Sequence, residues 1–527
     1  MTTTLPFTQS VFRSSWPDVE IPRVPLPELV LAGAADRADE PAIIDGPTGR
    51  VTTYGRLATD VRRVAAGLAA HGLRKGDVLA LLAPNVPEWL VAAYGAMTAG
   101  GTVTGINPLY TPDEVAAQLA DADARFLVTV PPFLDTARAA VDRAGLRTTI
   151  VLHGPPTPGT LAFADLTAHG DDPPAVAIDP DVDLALLPYS SGTSGLPKGV
   201  MLSHGACVAN VLQQRAAFTL FPDDRTIAVA PFFHATGFGV VANGAMYAGA
   251  SVVTMPRFDL EAFLGLIEEH RATAMVVVPP IVLALAKHPA VDRYDLSSLR
   301  WVGCGAAPLG AELQEACARR LGRPVVQGYG MTEVTAGVAI CEVGAPVRAG
   351  AAGQLLPNVQ ARIVDLESGS DRGPGEVGEL WLRGPSTMAG YLRNPEATAA
   401  TLDADGWLHT GDLARIDPDG ALFIVDRLKE LIKVKAFPVA PAELEAVLRA
   451  HPAIAEAAVV PVPDERAGEV PKAFVVRAGD VALSAEEVMA YVAERVAPHK
   501  RVRHVEFIDA IPTSPAGKTL RRLLKQR

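Results

Sequence analysis

At 527 residues the chain is too long for one hydrophobic core, so at least two domains are expected. Hydrophobic residues at 49% and charged residues at 20% describe a folded globular protein rather than a disordered one. Lys and Arg number 47 against 59 Asp and Glu, and the resulting net charge of −12 argues against a nucleic-acid partner, since phosphate backbones select basic faces.

The opening "MTTTLPFTQSVFRSSWPD" has no basic flank before an apolar run and does not read as a secretory signal. No stretch nears ~18 consecutive apolar residues, so no membrane span is expected. Next, "VTTYGRLATDVRRVAAGLAAHGLRKGD" carries apolar residues at helical spacing and closes at Gly72. "VLALLAP" follows as a short buried strand, and "PEWLVAAYGAMTAGG" as a second helix ended by glycines. The alternation recurs through "RFLVTV", "TTIVLHG", "RTIAVAPFF", "ASVVTM", "ATAMVVVPP" and "LRWVGCGAAPLG". Such strands alternating with helices predict an α/β fold, with parallel sheets covered by helices on both faces. From about Gly350 short alternating strands and many turn residues suggest a small antiparallel β-barrel. A compact α+β pattern then runs to the C-terminus. The charged stretch Asp426–Lys435 separates the two regimes, giving an expected large domain over 1–428 and a smaller one over 429–527. Cys207, Cys304, Cys317 and Cys341 are scattered without a C-x-x-C pair and read as buried thiols in a reducing compartment, so a cytoplasmic location is expected.

Several short segments carry chemistry. "YSSGTSGLPKG" follows a buried strand, but Gly192 and Gly195 lie three apart and Lys198 follows Pro197, unlike a Walker A loop. Its glycines permit close backbone approach, its hydroxyls and amides donate, and Lys198 adds positive charge, a set able to wrap a triphosphate. A plain surface loop is the alternative. "SPAGKTLRR" ends like a Walker A, but Pro512 stands where its first glycine would be, and Lys518 read alone is a solvated charge on a basic tail. "VVQGYGMTE" supplies Tyr329 between two glycines with Thr332 and Glu333, or else a core tyrosine. "HTGDL" offers Asp412 after a turn, either for the hydroxyls of a ribose or as a cap.

In order, the chain gives "YSSGTSGLPKG", "PFFHATG", "GYGMTE", "TGDL", "DRLKELIKVK" and "PTSPAGK". The series strongly resembles the adenylate-forming superfamily of acyl-CoA synthetases, peptide-synthetase adenylation domains and luciferases, from "FRSSWPDV" to "GKTLRR". "PFFHATGFG", "YDLSSLRWVGCGAAPLG" and "VAPAELEAVLRAHP" look most like the 4-coumarate:CoA ligase branch. The resemblance implies a large N-terminal domain and a mobile C-terminal one, with ATP, Mg²⁺ and coenzyme A as cofactors. It assigns the phosphates of ATP to Ser190, Ser191, Gly192, Thr193, Ser194 and Lys198. Tyr329 would stack on adenine beside Gln327 and Gly328, Thr332 would touch phosphate, and Glu333 would hold Mg²⁺. Asp412 and Arg427 would bind the ribose. The catalytic set would be Lys518, Lys433, Thr193 and Glu333, with Lys429 at the hinge. The acyl pocket would use His234, Thr236, Val240, Gly303, Gly305, Gly330 and Gly337, and CoA would meet Arg257, Lys435 and Ala436.

The implied reaction has two halves: a carboxylate attacks the α-phosphorus of ATP, then a thiol displaces AMP from the acyl adenylate. Fixed cations and Mg²⁺ offset the repulsion between two anions. Lys518 would serve the first half, and rotation at Lys429 would present Lys433 and Lys435 for the second. Two departures stand out. The family's usual K-G-F-Q-V-A-P reads "KAFPVAP", placing Ala436 and Pro438 against the thiol tunnel, and Thr236 replaces the tyrosine typical of the plant ligases. The expected activity is a carboxylic acid:CoA ligase for a cinnamate-like or similarly sized apolar acid, in a monomer or weak homodimer. The alternative is acyl transfer to an amine or a carrier-protein thiol.

Overall fold

A computed structural model describes residues 11–190, 197–217, 220–307, 309–434, 437–464, 467–479, 481–514 and 517–527. Among the described residues are two nine-stranded sheets and two five-stranded sheets. In the first large sheet Val78–Leu82 lies centrally, parallel to Thr102–Gly105 and to Ala124–Thr129. All five residues of Val78–Leu82 are buried, which requires cover on both faces. Side-chain alternation then divides them. Leu79 and Leu81 enter the main core beside Val61 and Leu90, whereas Val78, Ala80 and Leu82 enter a second core with Val115, Leu119 and Ala137.

The helix Tyr54–Ala70 forms because Tyr54, Leu57, Val61, Val64, Ala65 and Leu68 repeat at helical spacing and bury one stripe. Thr53 caps it by accepting the Arg56 amide at 3.3 Å, and Gly72, at φ +99°, turns the chain away. Pro87–Thr98 is buried nearly all round, as an almost continuously apolar segment must be.

The second large sheet runs parallel through Ser251–Thr254, Arg225–Ala228, Ala274–Val277, Trp301–Cys304 and Val325–Gly330. It ends antiparallel, at Gly337–Ile340 and Gln354–Leu355. Each segment read as a strand from its Val, Ile and Ala content is one. Val252, Ala274 and Val276 face the core shared with the first sheet, and Val253, Met275 and Val277 face helices on the other side. In the region read as a small barrel, Phe12–Arg13, Gln360–Val364, Gly378–Arg383, Leu408–Ile416 and Leu422–Arg427 form a five-stranded antiparallel sheet. The last sheet contains Ile432–Val434, Phe437–Val439, Ile454–Asp464, Gly468–Arg477 and His504–Phe507, over its own core of Leu444, Val459 and Val475.

Cys207, Cys304 and Cys317 are buried free thiols and Cys341 is half-buried. Burial pushes the thiols of Cys207 and Cys317 up to about 12, where neither is reactive. Among the described residues no helix is long and apolar enough to cross a membrane.

His204 opens the helix His204–Ala217 and is 1% exposed. Its Nδ1 accepts the Leu26 amide at 3.1 Å, tying two distant segments together. Burial lowers its pKa from 6.5 to about 4, against a smaller opposing pull from Asp183. The folded protein therefore keeps this imidazole neutral while the unfolded chain takes up a proton below pH 6.5. Stability from this group is complete above pH 6.5 and is lost as pH falls towards 4. The full shift corresponds to roughly 3 kcal/mol. Thermal unfolding recorded across this range is expected to show a falling melting temperature, and His204→Asn, which keeps an acceptor without the titration, to flatten the slope.

Candidate active-site cleft

The parallel strands of the second large sheet point their C-terminal ends at one cleft, the usual place for a ligand in an open α/β sheet. Arg225–Ala228 leads to His234, Ala274–Val277 to Val278, Trp301–Cys304 to Gly305, and Val325–Gly330 carries Tyr329 at its end. On the first large sheet Tyr189–Ser190 and Lys198–Ser203 pair antiparallel, with Ser190 opposite Lys198. Ser191, Gly192, Thr193 and Ser194 lie outside the described residues, as do Lys435 and Ala436.

The hairpin base is tied to Glu333. Ser190 Oγ donates to Glu333 Oε1 at 3.0 Å, and the Tyr391 hydroxyl donates to the same oxygen at 2.8 Å. The Lys198 ammonium sits 4.2 Å from the centre of the Tyr391 ring, a cation–π contact. Burial and the Glu333 charge push the Tyr391 hydroxyl pKa up, so it remains a donor. Glu333, 6% exposed, belongs to the single 3₁₀ turn Thr332–Val334. Its carbonyl accepts the Met388 amide at 2.9 Å. Among the described residues no hydrogen bond falls on its Oε2, which leaves that oxygen for a cation. No cluster of three or more acidic, His or Cys residues at metal-binding geometry occurs among them. The Glu333 carboxylate is the kind of hard oxygen ligand that Mg²⁺ takes, one or two at a time together with substrate phosphates.

A second group lies around Asp412, 3% exposed. The Tyr329 hydroxyl donates to Oδ2 at 2.6 Å and Arg427 Nε to Oδ1 at 3.0 Å. The carboxylate thus serves two side chains and caps no backbone amide. Antiparallel register sets the ion pair, since Asp412 and Arg427 are cross-strand partners. Gly330 is obligatory beside Tyr329: a Cβ there would stand 1.6 Å from the Ala336 carbonyl oxygen. Gln327 lies beneath, its Nε2 donating to Gln314 Oε1 at 2.8 Å and to the Leu309 carbonyl at 3.2 Å.

Lys518 reaches both groups from the other end of the chain. The Ser514 amide donates to the Lys518 carbonyl at 2.7 Å, and a Cβ on Gly517, at φ +75°, would stand 3.0 Å from Val278. Gly517 thereby seats beside the second large sheet. Burial lowers the Lys518 pKa, as does the neighbouring charge of Arg427, while Glu333, Asp412 and Glu430 raise it. Lys518 keeps solvent exposure, and it is the four neighbouring charges that mark its place beside Glu333 and Asp412. His234 lies in the same field; burial and the Lys518 charge lower its pKa to about 4, so it is neutral near pH 7. The Thr236 amide donates to its Nδ1 at 3.3 Å.

Thr236–Ala242 is a π-helix running directly into the α-helix Asn243–Ala248. Wide π turns are rare and gather at functional sites. Val240 on this segment borders a small cavity with Trp301, whose ring would lie 3.2 Å from a Cβ on Gly303. A Cβ on Gly305 would stand 3.8 Å from the Gly328 carbonyl. Gly337 starts the strand returning from Glu333. Not every expected residue joins the cleft. Lys433 and Arg257 are exposed, and among the described residues neither hydrogen-bonds to the Lys518 group. Lys429 lies in the short turn Leu428–Glu430. Tyr391, which bridges Lys198 to Glu333, went unread because "AGYLRNP" has no pattern to separate it from a turn tyrosine.

The profile of the AMP-binding enzymes matches residues 31–392, and that of their C-terminal domain matches residues 443–518. The chain is 45% identical to 4-coumarate--CoA ligase 5 of Oryza sativa subsp. japonica, covering 98% of this chain and 97% of that protein. The anthranilate CoA ligase AuaEII, solved with anthranoyl-AMP, superposes with a TM-score of 0.89 at 28% identity, covering 96% of this chain and 98% of that one. The amide bond synthetase McbA of Marinactinospora thermotolerans does so at 0.85 and 32%, covering 95% and 99%. With its cleft geometry and its full-length matches in agreement, the chain belongs to the adenylate-forming AMP-binding enzymes.

Proposed function

We propose that the protein is an ATP-dependent, AMP-forming carboxylic acid:CoA ligase for a cinnamate-like or similarly sized apolar acid. The observation that carries this reading is the convergence of Lys518, from the far end of the chain, on the charges of Arg427, Glu333 and Asp412. An oxygen of the acid attacks the α-phosphorus of ATP, and the bond to pyrophosphate breaks. The CoA thiolate then attacks the acyl carbon, and AMP leaves with the bridging oxygen. Lys518 stabilises the charge that builds on the α-phosphate in the first step. Asp412 and Arg427 fix the ribose, with Tyr329 against adenine. The hairpin bearing Ser190 and Lys198 holds the outer phosphates. Mg²⁺, when bound at Glu333, neutralises phosphate charge. His234, neutral near pH 7, serves as a pocket wall with Thr236 and Val240.

In this reading residues 1–428 form the nucleotide- and acyl-binding domain, and 429–527 rotate at Lys429 to bring Lys433 in for the second half-reaction. The compact C-terminal sheet, whose strands all follow residue 431, supports such a division. We assign a monomer or weak homodimer acting on small molecules, in the cytoplasm. Transfer to an amine rests on Ala436 and Pro438 alone, while identity is higher to the rice CoA ligase (45%) than to the amide synthetase (32%). CoA is therefore the acceptor we assign.

Pyrophosphate release across an acid panel, with and without CoA, tests the whole reading; release without CoA and no thioester product in its presence would overturn it. Lys518→Ala is expected to slow adenylate formation by roughly 10²–10³ while leaving thioester formation from supplied acyl-AMP nearly intact. Equal loss in both half-reactions would contradict the rotation. Asp412→Ala removes the acceptor shared by Tyr329 and Arg427, and the ATP KM is expected to rise about tenfold to a hundredfold. An unchanged KM in a folded variant would return Asp412 to a structural role.

A further inference from the structure

The strand carrying Asp412 departs from its neighbour just before that residue. Glu379 pairs with Leu413 and Trp381 with His409, so Leu380 alone on one strand faces Thr410, Gly411 and Asp412 on the other. The excess residues form a β-bulge, and Gly411 bends it at φ +70°. A bulge takes backbone amides out of the ladder, and inside a sheet each must find another acceptor. Both amides here do so. The Gly411 amide donates to Glu379 Oε1 at 3.1 Å, and the Asp412 amide donates to Thr410 Oγ1 at 3.0 Å. The Thr410 hydroxyl donates in turn to the Leu380 carbonyl at 2.7 Å.

Glu379 is itself held in place. Its Oε2 accepts the Trp381 indole N–H at 2.9 Å. The Trp381 ring stacks on His409, with centres 3.8 Å apart and planes at 12°. The Arg362 guanidinium lies 5.2 Å from the centre of the same ring, a cation–π contact. Two N–H donors therefore converge on one side chain, one at each oxygen, and only a carboxylate offers an acceptor to both. An amide in its place would set an NH₂ group against one of the two donors whichever way it turned. Glu379 acts on the backbone from which Asp412 projects, while the Asp412 carboxylate meets Tyr329 and Arg427.

We propose that Glu379 is a positioning residue for nucleotide recognition: through the Gly411 amide it holds the bulge that aims Asp412 at the ribose, which rests on the ribose assignment made above. The bulge sets where the Asp412 carboxylate stands, and the bonds to Tyr329 and Arg427 set how it is turned. Loosening the bulge lets Asp412 keep its ion pair while its oxygens move off the ribose hydroxyls. The protein then distinguishes a ribonucleotide less sharply from a deoxyribonucleotide, because the hydroxyl that one has and the other lacks no longer meets a fixed acceptor.

The test measures Kd by calorimetry for ATP, 2′-deoxyATP and 3′-deoxyATP, with Mg²⁺ and without any acid, so that no turnover is needed. The unmodified protein is expected to favour ATP over at least one deoxynucleotide by about tenfold to a hundredfold, the scale of a hydrogen bond to a charged acceptor. In Glu379→Gln that ratio is expected to fall towards one through weaker ATP binding. A general structural defect would weaken all three nucleotides together and leave the ratio standing, and that result would overturn the proposal. Trp381→Phe keeps a stacked ring and removes only the indole donor. It is expected to move the ratio in the same direction by a smaller factor, and it decides the matter if the Gln variant does not fold: an unchanged ratio there overturns the proposal. Asp412→Ala separates this assignment from the one beneath it. A ratio that survives in Asp412→Ala, or is absent from the unmodified protein, overturns the ribose assignment and Glu379 with it. A ratio lost in Asp412→Ala but kept in Glu379→Gln overturns the role of Glu379 alone.

Discussion

Lys518 lies in the combined field of Arg427, Glu333 and Asp412, where the two carboxylates offset the repulsion between the two cations. Partial desolvation and the Arg427 charge both disfavour the charged ammonium, and the lowered Lys518 pKa registers that pressure. The carboxylates counter it without touching the ammonium, because both are already engaged: Asp412 with Tyr329 and Arg427, Glu333 with Ser190 and Tyr391. The cleft is therefore nearly balanced in charge before any substrate arrives, and the cation stays available for a newcomer. Such preorganisation is what electrostatic stabilisation of a transition state requires.

The balance depends on backbone brought from great distances in sequence. Ser190 and Glu333 are 143 residues apart, and Tyr329 and Asp412 are 83 apart. What holds them in register is the scaffold of fully buried strands, whose C-terminal ends converge on the cleft. Close backbone approach finishes the work. Gly330 lies against Ala336, and Gly517 lets the Lys518 turn rest on Val278, in places where no side chain fits.

The scaffold was legible because buried parallel strands are written locally, as short runs of Val, Ile, Leu and Ala such as Val78–Leu82 and Ala274–Val277. The cleft was legible mainly through the order of its motifs. Taken singly, Asp412 offered a ribose ligand or a cap and Lys518 a solvated charge; the Tyr329 partner of Asp412 and the charges acting on Lys518 lie far away in sequence. Tyr391 escaped notice for the same reason, since its significance lies in one bond to Glu333. The π-helix left no trace either, since "TGFGVVA" reads as apolar residues with glycines, and its wide turn arises from contacts: a Cβ on Gly237 would meet the Pro231 carbonyl at 2.0 Å.

That π segment has a consequence for how such a pocket can change over evolutionary time. A π turn is an α turn holding one additional residue, and Thr236–Ala242 continues into an α-helix without a break. Deleting one codon inside it would let the segment relax to α geometry and turn every preceding side chain by about 100° around the axis. His234, Thr236 and Val240 would be presented differently in a single genetic event, while the strands beneath kept their register. Point substitution alters one wall residue at a time. A wall built this way can be re-aimed as a whole, and its ancestry is to be sought in the length of the segment as much as in its letters.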